Sequence, residues 1–230
     1  MAKLLHFEFH KLIRQKSFYI CLAVAVAMLV VSTCTTYLIN KDVMDTAEMG
    51  IDAMNVMIGS ASGGVLSMVI GVFIPLFACE DYVSGTIRNI VTRGYSRLGI
   101  FSAKLIAVTL ATAVMTIACM AAGYLIGLIF SGSGVEPFDA ATVKILLCQL
   151  AVMLAEGALF YAISTVLQKT GGSIAVCLVL PMVLTIVLTL ADTALAEKDI
   201  SLSAYWLERI SGTLSSFDVK SADMKKALLT

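Results

Sequence analysis

Two polar side chains interrupt an apolar stretch, residues 145–168, and both could do chemistry inside a membrane. Gln149 and Glu156 are seven residues apart, so they share one helical face. Glu156 is about twelve residues from each flanking lysine, Lys144 and Lys169. A carboxylate in mid-bilayer costs about 2.5–3.5 kcal/mol, so it must face protein or water, or be protonated. Either Glu156 makes a hydrogen bond between two helices, or it lines a cavity in the membrane and contacts a cationic cargo molecule there.

A second concentration of charge occupies residues 80–104, between the uncharged runs 53–79 and 105–135. Its two acids and four bases are Glu80, Asp81, Arg88, Arg93, Arg97 and Lys104. Short loops rich in Lys and Arg stay in the cytoplasm. The macrodipole disfavours anions at the end of a helix, so the two acids need cations nearby. The four basic residues of the segment can supply them.

The middle of this segment carries the signals of a short helix between two breaks. Gly85 interrupts the preceding helix, and Ser84 or Thr86 can cap a new one. Gly94 follows Arg93, as a C-terminal glycine follows a basic last turn. Three apolar residues share one face of this helix: Ile87, Ile90 and Val91. Three polar residues lie off that face: Arg88, Asn89 and Thr92. The spacing fits a docking site for a soluble partner and, equally, a solvated loop that only sets topology.

Residues 1–16 are predicted to form a basic amphipathic helix on the membrane surface. His6, His10 and Arg14 repeat every four residues on one face. The apolar residues fall on another: Leu5, Phe9, Leu12 and Ile13. The two histidines have the spacing of a metal-ligand pair, but nothing else completes a site. No metal site is therefore predicted.

The composition is that of a membrane protein. Hydrophobic residues make up 59% of the 230-residue chain and charged residues 14%, against about 45–50% and about 25% in soluble domains. The net charge is zero, which argues against a nucleic-acid partner. The six cysteines lie singly, with no CxxC pair, so neither a disulfide framework nor a zinc site is indicated.

Five apolar runs are long enough to cross a bilayer, which takes about 20 residues; they lie within residues 17–39, 53–79, 105–130, 145–168 and 174–191. They predict an all-α, polytopic helical bundle forming one domain over residues 1–230. The basic segments 1–16 and 80–104 are predicted to be cytoplasmic, whereas the acidic segment 40–52 and the segment 192–230 are predicted to be external. The last residues, 224–230, resemble the start of a sixth span. Either this span follows Thr230, as we expect, or the protein is a five-span variant.

Two further signals concern how the third run begins and packs. Ser96 can start the helix that re-enters the membrane. Gly123 and Gly127 have a GxxxG spacing that can form a tight helix crossing, for instance in a dimer, although such spacings are common by chance in a Gly-rich and Ala-rich apolar sequence.

The order of these features resembles that of ABC-2 type transporter permeases. The matching residues of the first cytoplasmic loop are Glu80-Asp81, Gly85-Thr86, Arg93-Gly94, Ser96-Arg97 and Lys104. Residues 6–20, HFEFHKLIRQKSFYI, are similar to the basic amphipathic helix that precedes the first span in that family. The similarity covers residue 1 to about residue 190 and is greatest to small bacterial permeases for lantibiotic or bacitracin export or self-protection.

The resemblance implies an ABC exporter subunit whose coupling helix fits a groove on a separate ATPase subunit. The coupling residues would be Glu80, Asp81, Gly85, Thr86, Ile87, Arg88, Ile90, Val91 and Arg93. ATP and Mg²⁺ would bind in that partner, because this chain has no GxxxxGK[ST] motif. The chain itself would not be an enzyme.

The same resemblance implies the subunit composition of the working transporter and its location in the cell. Two permease copies, identical or not, would join two ATPase subunits in the bacterial inner (plasma) membrane, with the N-terminus in the cytoplasm. The cargo would be antimicrobial peptides or other amphiphilic compounds, moving along a path to which Gln149 and Glu156 are candidate contributors.

Two other functions compete with this one. A motor-independent carrier or channel needs ionisable groups in its spans, and only Glu156 qualifies. Many such carriers also have internal repeats, which are not visible here. A membrane enzyme, such as an intramembrane protease, is disfavoured by the lack of GxSxG and HExxH motifs.

Overall fold

The computed structural model describes residues 2–43, 53–62, 64–86, 92, 94, 96–131, 140–195, 206–207 and 210–212. Within them lie seven helices of nine residues or more: α1 (Ala2–Arg14), α2 (Lys16–Val43), α3 (Ala53–Ala61), α4 (Gly64–Val83), α5 (Arg97–Ser131), α6 (Ala140–Leu167) and α7 (Thr170–Leu195). No strand occurs in these ranges. The predicted all-α class is confirmed.

Five segments of the described chain are long and apolar enough to cross a membrane: Lys16–Leu38, Ala53–Val83, Arg97–Ile129, Thr142–Leu167 and Thr170–Thr193. They correspond to the five predicted runs. The second span is the most enclosed. In its most apolar stretch of 18 residues, 65% of the residues are buried, against 11% in the corresponding stretch of the last span. The second span therefore lies at the centre of the bundle.

That central span is made of two helices. α3 ends at Ala61, and α4 begins at Gly64, whose φ of +51° suits a glycine. The Ser62 amide and hydroxyl both donate to the carbonyl oxygen of Gly59, at 3.2 and 2.8 Å. These bonds tighten the last turn of α3, so the carbonyl of Ile58 does not receive the Ser62 amide that a continuing α-helix would supply.

The core forms around α4. Phe73, Ile74 and Phe77 are fully buried, and α4 packs against α2, α6 and α7. Phe73 lies edge-on to Phe18 of α2, with 5.6 Å between ring centroids. Pro75 lies inside α4, which nevertheless continues to Val83.

The GxxxG pair of α5 forms a tight crossing within the chain, against α3. A Cβ atom added to Gly127 would lie 2.6 Å from the Cα of Ala53, and one added to Gly123 would lie 2.7 Å from the Ser60 hydroxyl. Only glycine permits this approach of the two backbones. The spacing therefore does form a tight crossing, and its partner is α3 of the same chain.

The N-terminal helix α1 packs against α5, and this contact divides its predicted apolar face. Leu12 is buried, whereas Phe9 and Ile13 are 40% and 51% exposed. Glu8, an acid, is fully buried in the same contact. The predicted role on the membrane surface thus depends on Phe9 and Ile13, while Leu12 belongs to the core.

Candidate functional site

A buried charge cluster joins α1, α4 and α5 at the start of the predicted coupling segment. We call it the Asp81 cluster, and its members are Lys11, Glu80, Asp81 and Lys104. The Lys11 ammonium lies 2.5 Å from Asp81 Oδ1 and 3.1 Å from Glu80 Oε2. Lys104 forms an ion pair with Asp81 Oδ2 and donates to the Ala78 carbonyl at 3.2 Å. One carboxylate at the end of α4 thus holds two other helices.

The burial of this cluster determines what its ion pairs contribute. Asp81 and Lys104 are 4% and 2% exposed. Removing one partner from such a pair costs about 3–5 kcal/mol, because the other charge is left buried. Both lysines also lie over the Phe77 ring, at 5.6 and 5.9 Å from its centroid. Glu80 is about half exposed at its side chain, so its own pair with Lys11 contributes little.

The Lys11 ammonium keeps its charge in this setting. Burial acts to lower the pKa of Lys11, but the hydrogen bonds and attractions of Asp81 and Glu80 outweigh burial and raise it above its ordinary value. A second donor, Gln15 Nε2, reaches Glu80 Oε2 at 3.2 Å.

Only part of this cluster was predictable from the sequence. Glu80 and Asp81 were expected to need cations, and Lys104 is one of the four bases proposed to supply them. Lys11 was missed, since it is 70 residues from Asp81 and no spacing relates them. Arg97 is exposed and makes no ion pair within the described ranges. The other two bases, Arg88 and Arg93, lie outside the described residues.

The residues next to the predicted coupling helix adopt the expected conformations. Gly85 has φ +70° and Gly94 has φ +85°, values that favour glycine after a helix end. The Ser84 and Thr86 hydroxyls are 2.8 Å apart and hydrogen-bonded. The remaining predicted coupling residues lie outside the described residues: Ile87, Arg88, Ile90, Val91 and Arg93. The helix between the two glycines stays a prediction.

Helix α5 begins inside the predicted loop 80–104, so the loop itself is shorter than predicted. The Gly99 amide donates to the Ser96 hydroxyl at 3.2 Å, so Ser96 caps α5 as predicted. The predicted loop 80–104 therefore includes the last turn of α4 and the first two turns of α5. Lys104 is consequently a helical residue that points into the core.

The polar face of α6 contacts both halves of the interrupted second span. Gln149 is fully buried, and its Nε2 donates to the Ile58 carbonyl oxygen at 2.9 Å. Glu156 is 6% exposed, and its Oε1 accepts a hydrogen bond from the Ser67 hydroxyl. Gln149 thus supplies a donor to the end of α3. Glu156 places a carboxyl group near the start of α4, where the helix dipole favours negative charge.

Two roles were considered for Glu156, a hydrogen bond between helices and a position along a cargo path, and these contacts concern the first of them. Both side chains lie on one face of α6, as the seven-residue spacing predicted, and both make hydrogen bonds to another helix. The break that they contact was missed, although the sequence around it, SASGG at residues 60–64, is rich in Ser and Gly. A role in a cargo path stays a prediction.

No group of three or more His, Cys, Asp or Glu side chains that could hold a metal ion occurs in the part of the chain that the structure describes. His6 and His10 are both exposed on α1.

Five apolar spans in the described part of the chain, the second of them an enclosed pair of helices, define a multi-pass, all-α membrane protein. Residues 4–192 match the family model described as ABC-2 family transporter protein. The match covers most of the 230 residues, so the chain belongs to the ABC-2 transporter family. No curated protein and no solved structure matches it significantly.

Membership confirms the predicted ABC-2 type permease. Permeases of this family are membrane transport components that are not themselves catalytic. They generally work with an ABC ATPase and dimerise. The match identifies the family but not a subclass, so the lantibiotic or bacitracin subclass stays a prediction.

Proposed function

We propose that this chain is the transmembrane subunit of an ABC exporter and that residues 80–104 couple it to a separate ATPase subunit. The observation that carries the proposal is the position of Asp81. It lies in the last turn of α4, directly before the coupling segment, and it binds Lys11 of α1 and Lys104 of α5. A displacement of that segment would therefore reach three helices together.

The proposed roles of the coupling residues follow from their positions. Glu80 and Asp81 anchor the segment to the bundle, and Gly85 and Thr86 begin the turn that leaves α4. The proposed docking helix follows, with one apolar face made of Ile87, Ile90 and Val91. Its polar members are Arg88 and Arg93, which would meet the rim of the ATPase groove.

The working unit would contain two permease copies and two ATPase subunits, with ATP and Mg²⁺ bound only in the latter. The N-terminus and the coupling segment would face the cytoplasm of a bacterial cell, across its plasma membrane. Closure of the ATPase pair would switch the spans between inward-facing and outward-facing states. The cargo would be an amphiphilic compound such as an antimicrobial peptide, passing near the α6 face that carries Gln149 and Glu156.

Association with the ATPase tests this proposal. An ABC ATPase subunit that co-purifies with the wild-type permease is co-expressed with it and with Ile90→Asp, and the affinity of the purified proteins is measured. A charge on the apolar docking face should weaken binding at least tenfold, which corresponds to about 1.4 kcal/mol. Asn89→Asp adds the same charge beside that face and should bind as the wild type does. Wild-type affinity of Ile90→Asp would exclude the assigned docking face.

A further inference from the structure

Glu8 is a carboxylic acid enclosed where α1 meets the bundle. Its relative exposure is 0%, and neither carboxyl oxygen has a hydrogen-bond partner among the described residues. One turn further along α1, Leu12 is part of the main hydrophobic core. The acid is therefore enclosed beside the core, without hydrogen bonds of its own to a described residue.

The charges that act on Glu8 already balance without it. They come from Lys11 on α1, Glu80 and Asp81 on α4, and Lys104 on α5; the Tyr161 phenol on α6 is also within electrostatic range. The two lysines form ion pairs with the two acids, so the formal charge of the Asp81 cluster is zero. An ionised Glu8 would add one unbalanced negative charge to a buried site.

Desolvation should therefore favour the neutral form of Glu8 while α1 is docked. Burial raises the pKa of Glu8, and the attractions of Lys104 and Lys11 offset only part of that effect. Without a hydrogen-bond donor among the described residues, the carboxylate would have nothing to replace its lost hydration. Ionisation is then favourable only if the side chain returns to water.

We propose that Glu8 is a proton-binding site that controls the docking of α1. With the proton bound, the neutral side chain stays buried and α1 packs against α5. When the proton passes to solvent, the carboxylate turns towards water and α1 separates from the bundle, which also breaks the contact of Lys11 with Asp81. The device needs neither the ATPase nor cargo, so it is independent of the proposed transport function.

The sign of the pH dependence follows from the raised pKa of docked Glu8. Docking is strongest below the ordinary Glu pKa of about 4.3, weakens as pH rises above it, and levels off beyond the docked pKa. Between these two values the equilibrium constant for undocking rises about tenfold per pH unit, since one proton is released.

Thiol labelling of purified protein in lipid nanodiscs tests the proposal. In a cysteine-free background, Leu12→Cys places a thiol that a polar maleimide reaches only when α1 separates. His10→Cys, on the exposed side of the same helix, corrects for the pH dependence of the thiol reaction itself. As pH rises above about 5, the ratio of the two rates should increase, by up to about tenfold per unit, and then level off.

Two variants of Glu8 separate titration from packing. Glu8→Gln, a neutral side chain of similar shape, should keep the ratio low and flat. Glu8→Asp should restore a rise with pH because it retains a titratable group. A flat ratio in the wild type, or an equal rise in Glu8→Gln, would overturn the proposal.

An infrared titration covers the case in which Glu8→Gln does not fold. The wild type should lose a protonated-carboxyl band over the pH range in which the labelling ratio rises. The band should persist in Glu156→Gln, which removes the buried acid of α6. A wild-type spectrum with no titrating carboxyl band in that range would also overturn the proposal.

Discussion

The side-chain amide of Gln149 donates to the backbone carbonyl of Ile58, which lies 91 residues earlier in the chain. The bond supplies a donor to a carbonyl at the end of α3, inside the membrane, where water cannot do so. One α6 residue thus compensates for the interruption of the second span. Two turns further along, Glu156 contacts Ser67 on the other side of the interruption.

The Gln149 bond should contribute measurably to stability. We expect Gln149→Leu to lower the free energy of unfolding by about 1–2 kcal/mol, because the Ile58 carbonyl is left buried without its donor. Denaturant unfolding in detergent measures the change. Cys148→Leu, on the exposed side of the same turn, should alter stability by less than about 0.5 kcal/mol. Equal effects of the two changes would contradict the assigned role of the amide.

The contact between α5 and α3 should not tolerate a single methyl group. Gly127→Ala places a Cβ against the Ala53 backbone, and such overpacking costs about 1–3 kcal/mol. Gly59→Ala is the matched control, since nothing lies within 4 Å of the added Cβ. In a helix interior that change should stabilise by about 0.5–1 kcal/mol. Thermal unfolding of both variants checks the opposite signs, and a stabilised Gly127→Ala would refute the close crossing.

Replacing the two neighbouring acids of α4, Glu80 and Asp81, should lower the stability of the protein to very different extents. Asp81→Asn leaves Lys104 buried without its counter-charge, so we expect a loss of about 3–5 kcal/mol. Glu80→Gln removes a half-exposed charge and should cost about 0–1 kcal/mol. Adding Lys104→Met to Asp81→Asn should recover part of the loss, because the unpaired ammonium is gone. Unfolding of the single and double variants measures the coupling, and similar losses at Glu80 and Asp81 would argue against a buried cluster.

The charge of Glu156 should matter to export if α6 borders the cargo path. Glu156→Gln retains an oxygen that accepts the Ser67 hydrogen bond, so expression and basal ATPase activity of the complex should persist. Export of a cationic amphiphile should fall, while export of a neutral one should not. Unchanged export of both cargoes at normal expression would leave Glu156 with only its contact between helices.

The chain's apolar periodicity and charge distribution were sufficient to predict the membrane class and the helical fold. Five apolar runs that are each long enough to cross a bilayer can form the hydrogen bonds of their own backbone N–H and C=O groups only as helices. Local signals also located helix ends correctly, with Ser96 capping α5 and Gly85 following α4. These features depend on residues close in sequence, so a pattern in the sequence contains the whole interaction.

Only the tertiary structure decided which distant groups meet. Lys11 reaches Asp81 because α1 packs on α5, and no spacing along the chain encodes that contact. Gln149 and Glu156 were identifiable as polar residues in an apolar helix, but their partners lie on the two halves of an interrupted span. The burial of Glu8, on a helix expected only to lie on the membrane, follows from the same packing. Whether a charge is solvated or enclosed depends on all the elements around it, and the sequence of one helix does not contain them.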